Sequence, residues 1–389
     1  MHLADITMFY AAEGGGVSTY LNAKARWLAR YSWARHTILS PNISAGACKS
    51  GPDGREGKAA PALIRVPAVA LPGIHGYRMP LSVAAAVRRL RAARPDLVEA
   101  GDAGHCAWAA LRLQQRLGIP AIAFYHYDLP RLLRNRFGHA VAQGSCKYLA
   151  HLYREFDLVL APSRLMVRQL EQIGVSKALH QPLGIDSEVF HPSRRRAGLR
   201  AELGLGESVR LLVYAGRFTA DKKLPLLTEA VARLGPRYHL LLIGGGAELP
   251  RHPQLSFMPF QRDQRVLAGL LASCDLLVHP GDCETFGLIV LEAMACGLPV
   301  VATSGGGVAE LVDEHTGILA RPNDVDSLAG AIEAVYQCDM AALGRQARGK
   351  ASDHYDWRRI FPQLMHRYGS LLAAGTRLPD VLDGVCVSD

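Results

Sequence analysis

Glu284 and Glu292 stand eight residues apart in the stretch GDCETFGLIVLEAMACG, residues 281–297. Along a helix that separation is a rise of about 12 Å with about 80° of rotation, roughly the span from the sugar to the ribose of a nucleotide diphosphate sugar. Phe286, Leu288, Ile289, Val290, Leu291, Ala293 and Met294 make the segment apolar on nearly every side, the pattern of a buried helix. Glu292 interrupts it with charge. An ionised carboxylate there is costly unless it is paired or hydrogen-bonded, so it should face a polar pocket. The helix is expected to open across residues 285–288, whose amides have no partner inside it and can meet phosphate or sugar oxygens at the positive end of its dipole. Taken singly, Glu284 as a solvated loop residue and Glu292 as the cap of a neighbouring strand are equally good readings.

Arg217 and Lys222 lie five residues apart across a strand-to-helix turn that opens with Gly216. Two cations so placed can converge on a diphosphate and neutralise the charge that builds as it leaves. Lys223 is adjacent, and spacing favours Lys222. Two solvated cations would be the ordinary reading of such a pair alone. Glycines cluster at further turns: Gly14, Gly15 and Gly16 after Glu13, then Gly244, Gly245 and Gly246, then residues 304–308. Glycine at a strand-to-helix turn lets backbone approach a ligand closely, although a tight turn asks for the same residue. His126, Tyr127 and Asp128 follow an apolar strand over 119–124, at the carboxyl end where open α/β sheets hold their ligands. Asp324 and Asp326 spell a metal-binding Asp-x-Asp, but they follow Pro322-Asn323 and precede a helix over 328–336. They read as a helix cap and a first-turn acid, and no carboxylate cluster elsewhere asks for a metal.

The run ETFGLIVLEAMACGLPVV resembles the signature of the retaining glycosyltransferases of the GT-B fold, the large glycosyltransferase family 4. Gly297 and Pro299 end the helix and feed a strand over 300–302 as that fold needs. The similarity runs over nearly the whole chain. It implies an α/β protein of two Rossmann-like domains facing across a cleft, with a C-terminal helix crossing back to the first. It also implies roles. Gly15 and Gly16 would border the donor diphosphate and the acceptor. Gly216, Arg217 and Lys222 would hold the diphosphate, and Gly245 would lie near the nucleotide. Glu284 and the amides of Phe286, Gly287 and Leu288 would take the sugar hydroxyls, and Glu292 the ribose. His126 would lie beside the transferred sugar. Tyr127, where the family more often has threonine, would face the acceptor with Asp128 and Arg131.

The elements that must position these residues alternate regularly between strand and helix, which supports two α/β domains independently of the resemblance. With 389 residues, two domains are expected: an acceptor domain over 1–190, a nucleotide-sugar domain over 191–355, a crossover helix over 356–375 and a loose tail over 376–389. Residues 42–61, rich in Gly, Pro and Ser, read as a surface loop. A first helix is expected over 17–30, with Val17, Leu21, Lys24 and Leu28 at helical spacing. Ser163 should cap a helix over 165–173.

Charge divides unevenly. Residues 1–190 carry 23 Lys+Arg against 13 Asp+Glu, a net of +10, and residues 191–389 carry 21 against 22, a net of −1. Arg88, Arg89, Arg91 and Arg94, then Arg131, Arg134 and Arg136, concentrate the basicity among Leu and Ala. A solvated helix face is the plain reading; a surface for anionic lipid or an acidic acceptor is the sharper one. No aromatic platform accompanies the arginines, which weighs against nucleic acid. The amino-terminal segment lacks the pattern of a signal peptide, no apolar run reaches about 18 residues, and the eight cysteines show no CxxC spacing. A cytoplasmic protein with free thiols, peripheral at the inner face of the membrane, is the expectation.

The activity implied is transfer of a hexose from a nucleotide diphosphate to an acceptor hydroxyl with retention of configuration, without a required metal or other cofactor. GDP-mannose is the expected donor, a UDP-sugar its competitor, and a lipid or lipid-linked saccharide the acceptor. A nucleotide-sugar epimerase would need acid and base carboxylates flanking the sugar. A non-catalytic sugar-nucleotide-binding protein would not keep Glu284, Glu292, Arg217 and Lys222 together. A dehydrogenase would need GxGxxG after the first strand, which is missing.

Overall fold

The structure is a computed structural model that describes residues 1–10, 14–31, 34–44, 61–70, 77–249 and 251–375. Glu13, residues 45–60 of the surface loop and the tail from 376 lie outside the described residues.

The first nine strands are β1 (His2–Ile6), β2 (Arg35–Ser40), β3 (Ala62–Arg65), β4 (Ala68–Ala70), β5 (Arg78–Pro80), β6 (Leu97–Ala100), β7 (Ala121–Phe124), β8 (Leu158–Ala161) and β9 (Ala178–His180). Seven of them form one sheet in the order β3-β2-β1-β6-β7-β8-β9, while β4 and β5 pair antiparallel. The helices of this part are α1 (Gly16–Tyr31), α2 (Val83–Ala93), α3 (His105–Leu117), α4 (Leu129–Phe137), α5 (His139–Arg154) and α6 (Arg164–Gln172). Strands β1, β6, β7 and β8 are buried along their whole length, as strands of a parallel sheet covered on both faces must be. Ser163 caps α6 as expected, its hydroxyl accepting from the Met166 amide.

The second sheet joins β10 (Arg210–Phe218), β11 (Tyr238–Gly246), β12 (Leu255–Met258), β13 (Leu276–His279), β14 (Val300–Thr303) and β15 (Gly317–Ala320) in the order β12-β11-β10-β13-β14-β15, all parallel. Its helices are α7 (Leu199–Glu202), α8 (Leu224–Leu234), α9 (Gln264–Leu271), α10 (Leu288–Ala295), α11 (Val325–Val335) and α12 (Met340–Tyr355); α13 (Trp357–Gly375) follows, and from Phe361 it belongs with the first sheet. Leu212, Tyr214, Leu227, Leu240, Val278 and Ile332 form its core. In each sheet the strand order reverses beside the first strand, and at such switch points the carboxyl ends of the strands leave a crevice for ligands. Arg217 near the end of β10 and His279 at the end of β13 flank the reversal in the second sheet.

The chain divides into two compact units: one holds 1–124, 151–159 and the segment from Phe361, the other 125–150 and 160–360. Inside the first unit, Lys24 departs from the apolar spacing read from sequence. It is fully buried, its Nζ 2.7 Å from Asp5 and 3.0 Å from Glu99. Asp5 also takes His36, and Glu99 takes the hydroxyls of Tyr20 and Tyr368. Burial, then Asp5, pushes the Glu99 carboxyl up, while Lys24 and His36 outweigh burial at Asp5 and hold it well below the carboxylate range.

Candidate active site

Three local differences from the sequence reading set the geometry. Residues 285–287 do not belong to the helix: α10 starts at Leu288, with Gly287 as its N-cap in the left-handed region at φ 99°. Glu284 therefore sits on a loop rather than one helical face away from Glu292. A Cβ at Gly287 would come 2.6 Å from Val308 Cγ2, so glycine there permits both the backbone conformation and the close packing. Second, β10 runs on to Phe218, which puts Arg217 on a strand. Third, Gly244, Gly245 and Gly246 form the end of β11, not a turn, and pair with Gly216, Arg217 and Phe218. A Cβ at Gly244 would collide with the Gly216 carbonyl.

Lys222, in a single turn of 3₁₀ helix after β10, reaches Glu284, Nζ to Oε1 2.5 Å, and Asp221 at 3.1 Å. His279 Nε2 lies 3.3 Å from the same Glu284 oxygen. Burial opposes the charge on Glu284, but Lys222 and His279 outweigh it and hold the carboxyl well below the usual range. At Lys222 burial favours the neutral amine, yet Glu284 and Asp221 raise its pKa and keep it charged. Lys223 turns elsewhere, to Asp282 at 2.6 Å and Asn323 at 2.5 Å. Arg217 is exposed and has no ion-pair partner among the described residues.

Glu292 is buried in α10, and its carboxyl has no hydrogen-bond partner among the described residues. Burial pushes its pKa up to about 8, so near neutral pH it is largely a carboxylic acid, able to donate as well as accept. The amides of Phe286, Gly287 and Leu288 likewise make no hydrogen bond among the described residues. The Phe286 ring packs 6.0 Å from that of Tyr355, so this residue can offer a ligand only its backbone.

The segment holding His126 adjoins the Glu284 loop. Thr285 Oγ1 donates to the His126 carbonyl at 2.9 Å, and Arg131 lies 3.2 Å from Asp282. Asp128 caps α4, accepting from the Arg131 amide at 3.1 Å, while Tyr127 is half-buried beside it. Gly15 and Gly16 belong to the first unit, where Gly15 at φ 120° leads into α1 and Gly16 begins it. Behind the site, the Gly307 amide donates to the Glu284 carbonyl at 2.6 Å, and Glu310 accepts from the Arg164 and Leu165 amides at 2.9 and 2.6 Å. Asp324 caps α11, accepting from Ser327.

Sequence reasoning missed His279, Asp282 and Asp221. His279 carried a signal, since it ends a strand at a switch point five residues before Glu284. Asp282 carried only its nearness to Glu284.

Residues 14–189 match the model described as Glycosyltransferase Family 4, and 209–338 that described as Glycosyl transferases group 1. A GDP-mannose-dependent alpha-mannosyltransferase of Mycobacterium tuberculosis is 31% identical over 66% of this chain and 68% of its own. From the same organism, a GDP-mannose-dependent alpha-(1-6)-phosphatidylinositol dimannoside mannosyltransferase is 28% identical over 98% of this chain and 100% of its own. The sulfoquinovosyl transferase of Arabidopsis thaliana is 31% identical over 72% of this chain, which spans only 58% of that protein. Among solved structures, sucrose-phosphate synthase from Thermosynechococcus elongatus superposes with a TM-score of 0.77 at 23% identity, covering 96% of this chain and 100% of its own. Anabaena HepE in complex with UDP-glucose gives 0.74 at 21% identity, covering 95% and 100%. With two parallel α/β sheets and these relatives, the chain belongs to the family 4 glycosyltransferases and has their GT-B fold.

Proposed function

We propose that the protein transfers mannose from GDP-mannose to a hydroxyl of a lipid or lipid-linked saccharide, retaining the α configuration and needing no metal. The observation that carries the reading is Glu292. Its carboxyl makes no hydrogen bond among the described residues while its oxygens still reach solvent, and the amides leading into its helix are likewise free, so together they present polar groups that a ligand can complete. In this reading Glu292 meets the ribose hydroxyls, and the amides of Phe286, Gly287 and Leu288 meet the sugar and phosphate oxygens. Arg217 and Lys222 neutralise the diphosphate as it leaves. Glu284 accepts from sugar hydroxyls, and His126 lies beside the sugar. The bond from the anomeric carbon to the phosphate oxygen breaks while the acceptor oxygen bonds to that carbon on the same face. The acceptor's proton passes to the departing phosphate oxygen.

The choice of donor rests on relatives named as GDP-mannose-dependent, whereas HepE, which binds UDP-glucose, keeps a UDP-sugar as the alternative. The lipid acceptor rests on the phosphatidylinositol-based substrate in one relative's name and on the basic first half of the chain. Helix α4 adds a surface for an anionic membrane: it has no buried residue and no acid in its first turn, it carries Arg131, Arg134 and Arg136, and it exposes Leu132 and Phe137. Among the described residues no helix is long and apolar enough to cross a membrane.

The test is nucleotide diphosphate release from GDP-, UDP- and ADP-sugars, with and without membrane lipid extract, in EDTA and then in Mg²⁺. Release from GDP-mannose alone that rises with lipid and ignores EDTA is the expected result. Release from a UDP-sugar alone replaces the donor. No release by folded protein overturns the transferase reading in favour of binding without catalysis.

A further inference from the structure

His279 is buried, and its only polar contact among the described residues is Glu284. A carboxylate only accepts, so the proton of that contact sits on Nε2. Nδ1 is buried without a partner among the described residues. Packing fixes the ring: a Cβ on Gly281 would stand 3.1 Å from its Cε1, and the Tyr214 ring lies 6.1 Å away. The imidazole thus aims one N–H at the Glu284 oxygen that Lys222 also holds. Lys222 has a second partner in Asp221 and stands on a single turn of 3₁₀ helix.

These contacts matter once a donor is bound, and the inference rests on the function proposed above. A diphosphate that attracts Lys222 takes from Glu284 its nearest counter-charge. A half-buried carboxylate that loses its strongest counter-charge tends to take up a proton, and a protonated Glu284 accepts sugar hydroxyls less well. We propose that His279 is a positioning residue that keeps Glu284 ionised and fixed in place after Lys222 turns to the donor diphosphate. The other groups near this pair are Asp221 from the 3₁₀ turn and Tyr214 and Arg217 from β10. All are unchanged by substitution at His279.

The experiment compares wild type with His279→Leu, His279→Gln and Glu284→Gln, reading kcat and donor KM across pH, with thermal melts to establish folding. His279→Leu should lower kcat about tenfold or more and leave donor KM within about twofold. Its acid limb in the kcat profile should move up by about one pH unit, because Glu284 has lost a group that favours its charged form. His279→Gln places an amide N–H near the Nε2 position and should restore most of both. Should His279→Leu not fold, His279→Asn, polar but too short to reach, takes its place. An unmoved acid limb overturns the proposal, as does a loss of kcat that Gln fails to rescue. Full activity in Glu284→Gln would remove Glu284 from the proposed mechanism and this inference with it. A crippled Glu284→Gln beside an unaffected His279→Leu overturns the inference alone.

Discussion

Lys222 Nζ and Glu284 Oε1 stand 2.5 Å apart, so two groups that a bound donor would draw to different atoms are each other's partner. The pair holds both side chains charged in a half-buried setting. Removing Lys222 leaves Glu284 with a weaker counter-charge and, in the mechanism proposed above, takes a cation from the departing diphosphate. Lys222→Ala should lower kcat by about 10²- to 10³-fold, the scale for losing one electrostatic stabiliser of a developing charge. Steady-state kinetics checks this, and turnover near wild type would exclude Lys222 as the phosphate clamp.

Glu292 should reveal itself in ligand binding and in the pH dependence of stability. Glu292→Ala should weaken nucleotide binding by roughly 1 to 3 kcal/mol, the cost of unpairing a hydrogen-bonding group, measurable by calorimetry with GDP and UDP.

The sign of its pH effect follows from burial, which raises the folded pKa to about 8. Below the unfolded value near 4.3 both states hold the proton and the carboxyl costs little. As pH rises toward 8 the unfolded chain releases its proton first, so stability falls. Wild type should therefore lose melting temperature relative to Glu292→Gln between about pH 5 and 8. Parallel melting curves across that range would place the carboxyl in a more polar environment.

Gly287→Ala tests the loop that carries the free amides. A side chain there needs the left-handed backbone at φ 99° and space that Val308 occupies. The variant should lose about 1 to 3 kcal/mol of stability, read from denaturant midpoints, and should lose donor affinity with it.

Leu132 and Phe137 are 54% and 58% exposed on α4, so changing both to Ser should leave the melting temperature nearly unchanged. If α4 meets an anionic membrane, the double variant should bind phosphatidylglycerol vesicles several-fold less tightly than wild type in a flotation assay. Equal binding would move that contact to the arginines of α2.

Most strands and helices were legible because their burial is written in period: VVAT and LLVH are apolar on both faces, and Ser163 and Asp324 announce the helices they cap. What failed was local. The apolar run through Phe286 looked helical, but Gly287 takes a conformation that starts the helix at Leu288, and period alone does not register a positive φ. Gly244, Gly245 and Gly246 suggested a turn. They are strand, paired with residues 216–218, and glycine is required at Gly244 and Gly246 because the carbonyls of Gly216 and Phe218 lie too close across the pair to allow a side chain. Lys24 fell at an apolar position because its partners Asp5 and Glu99 are remote in sequence. For the same reason the site's ion pairs, Lys222 with Glu284 and Lys223 with Asp282, were readable as residues but not as partners.

The charged cluster of the first unit has a consequence for synthesis. Asp5, Lys24 and Glu99 leave the ribosome before the whole of residues 160–360, but Tyr368, which donates to Glu99 and lies 3.2 Å from Lys24, leaves after them. Until then the early segment holds a buried lysine and two carboxylates without one of their closing hydroxyls. The first unit is thus completed only after residues 160–360 of the second have been made. A nascent chain stalled before Phe361 should hold residues 160–360 folded and the amino-terminal portion open to chaperones and proteases.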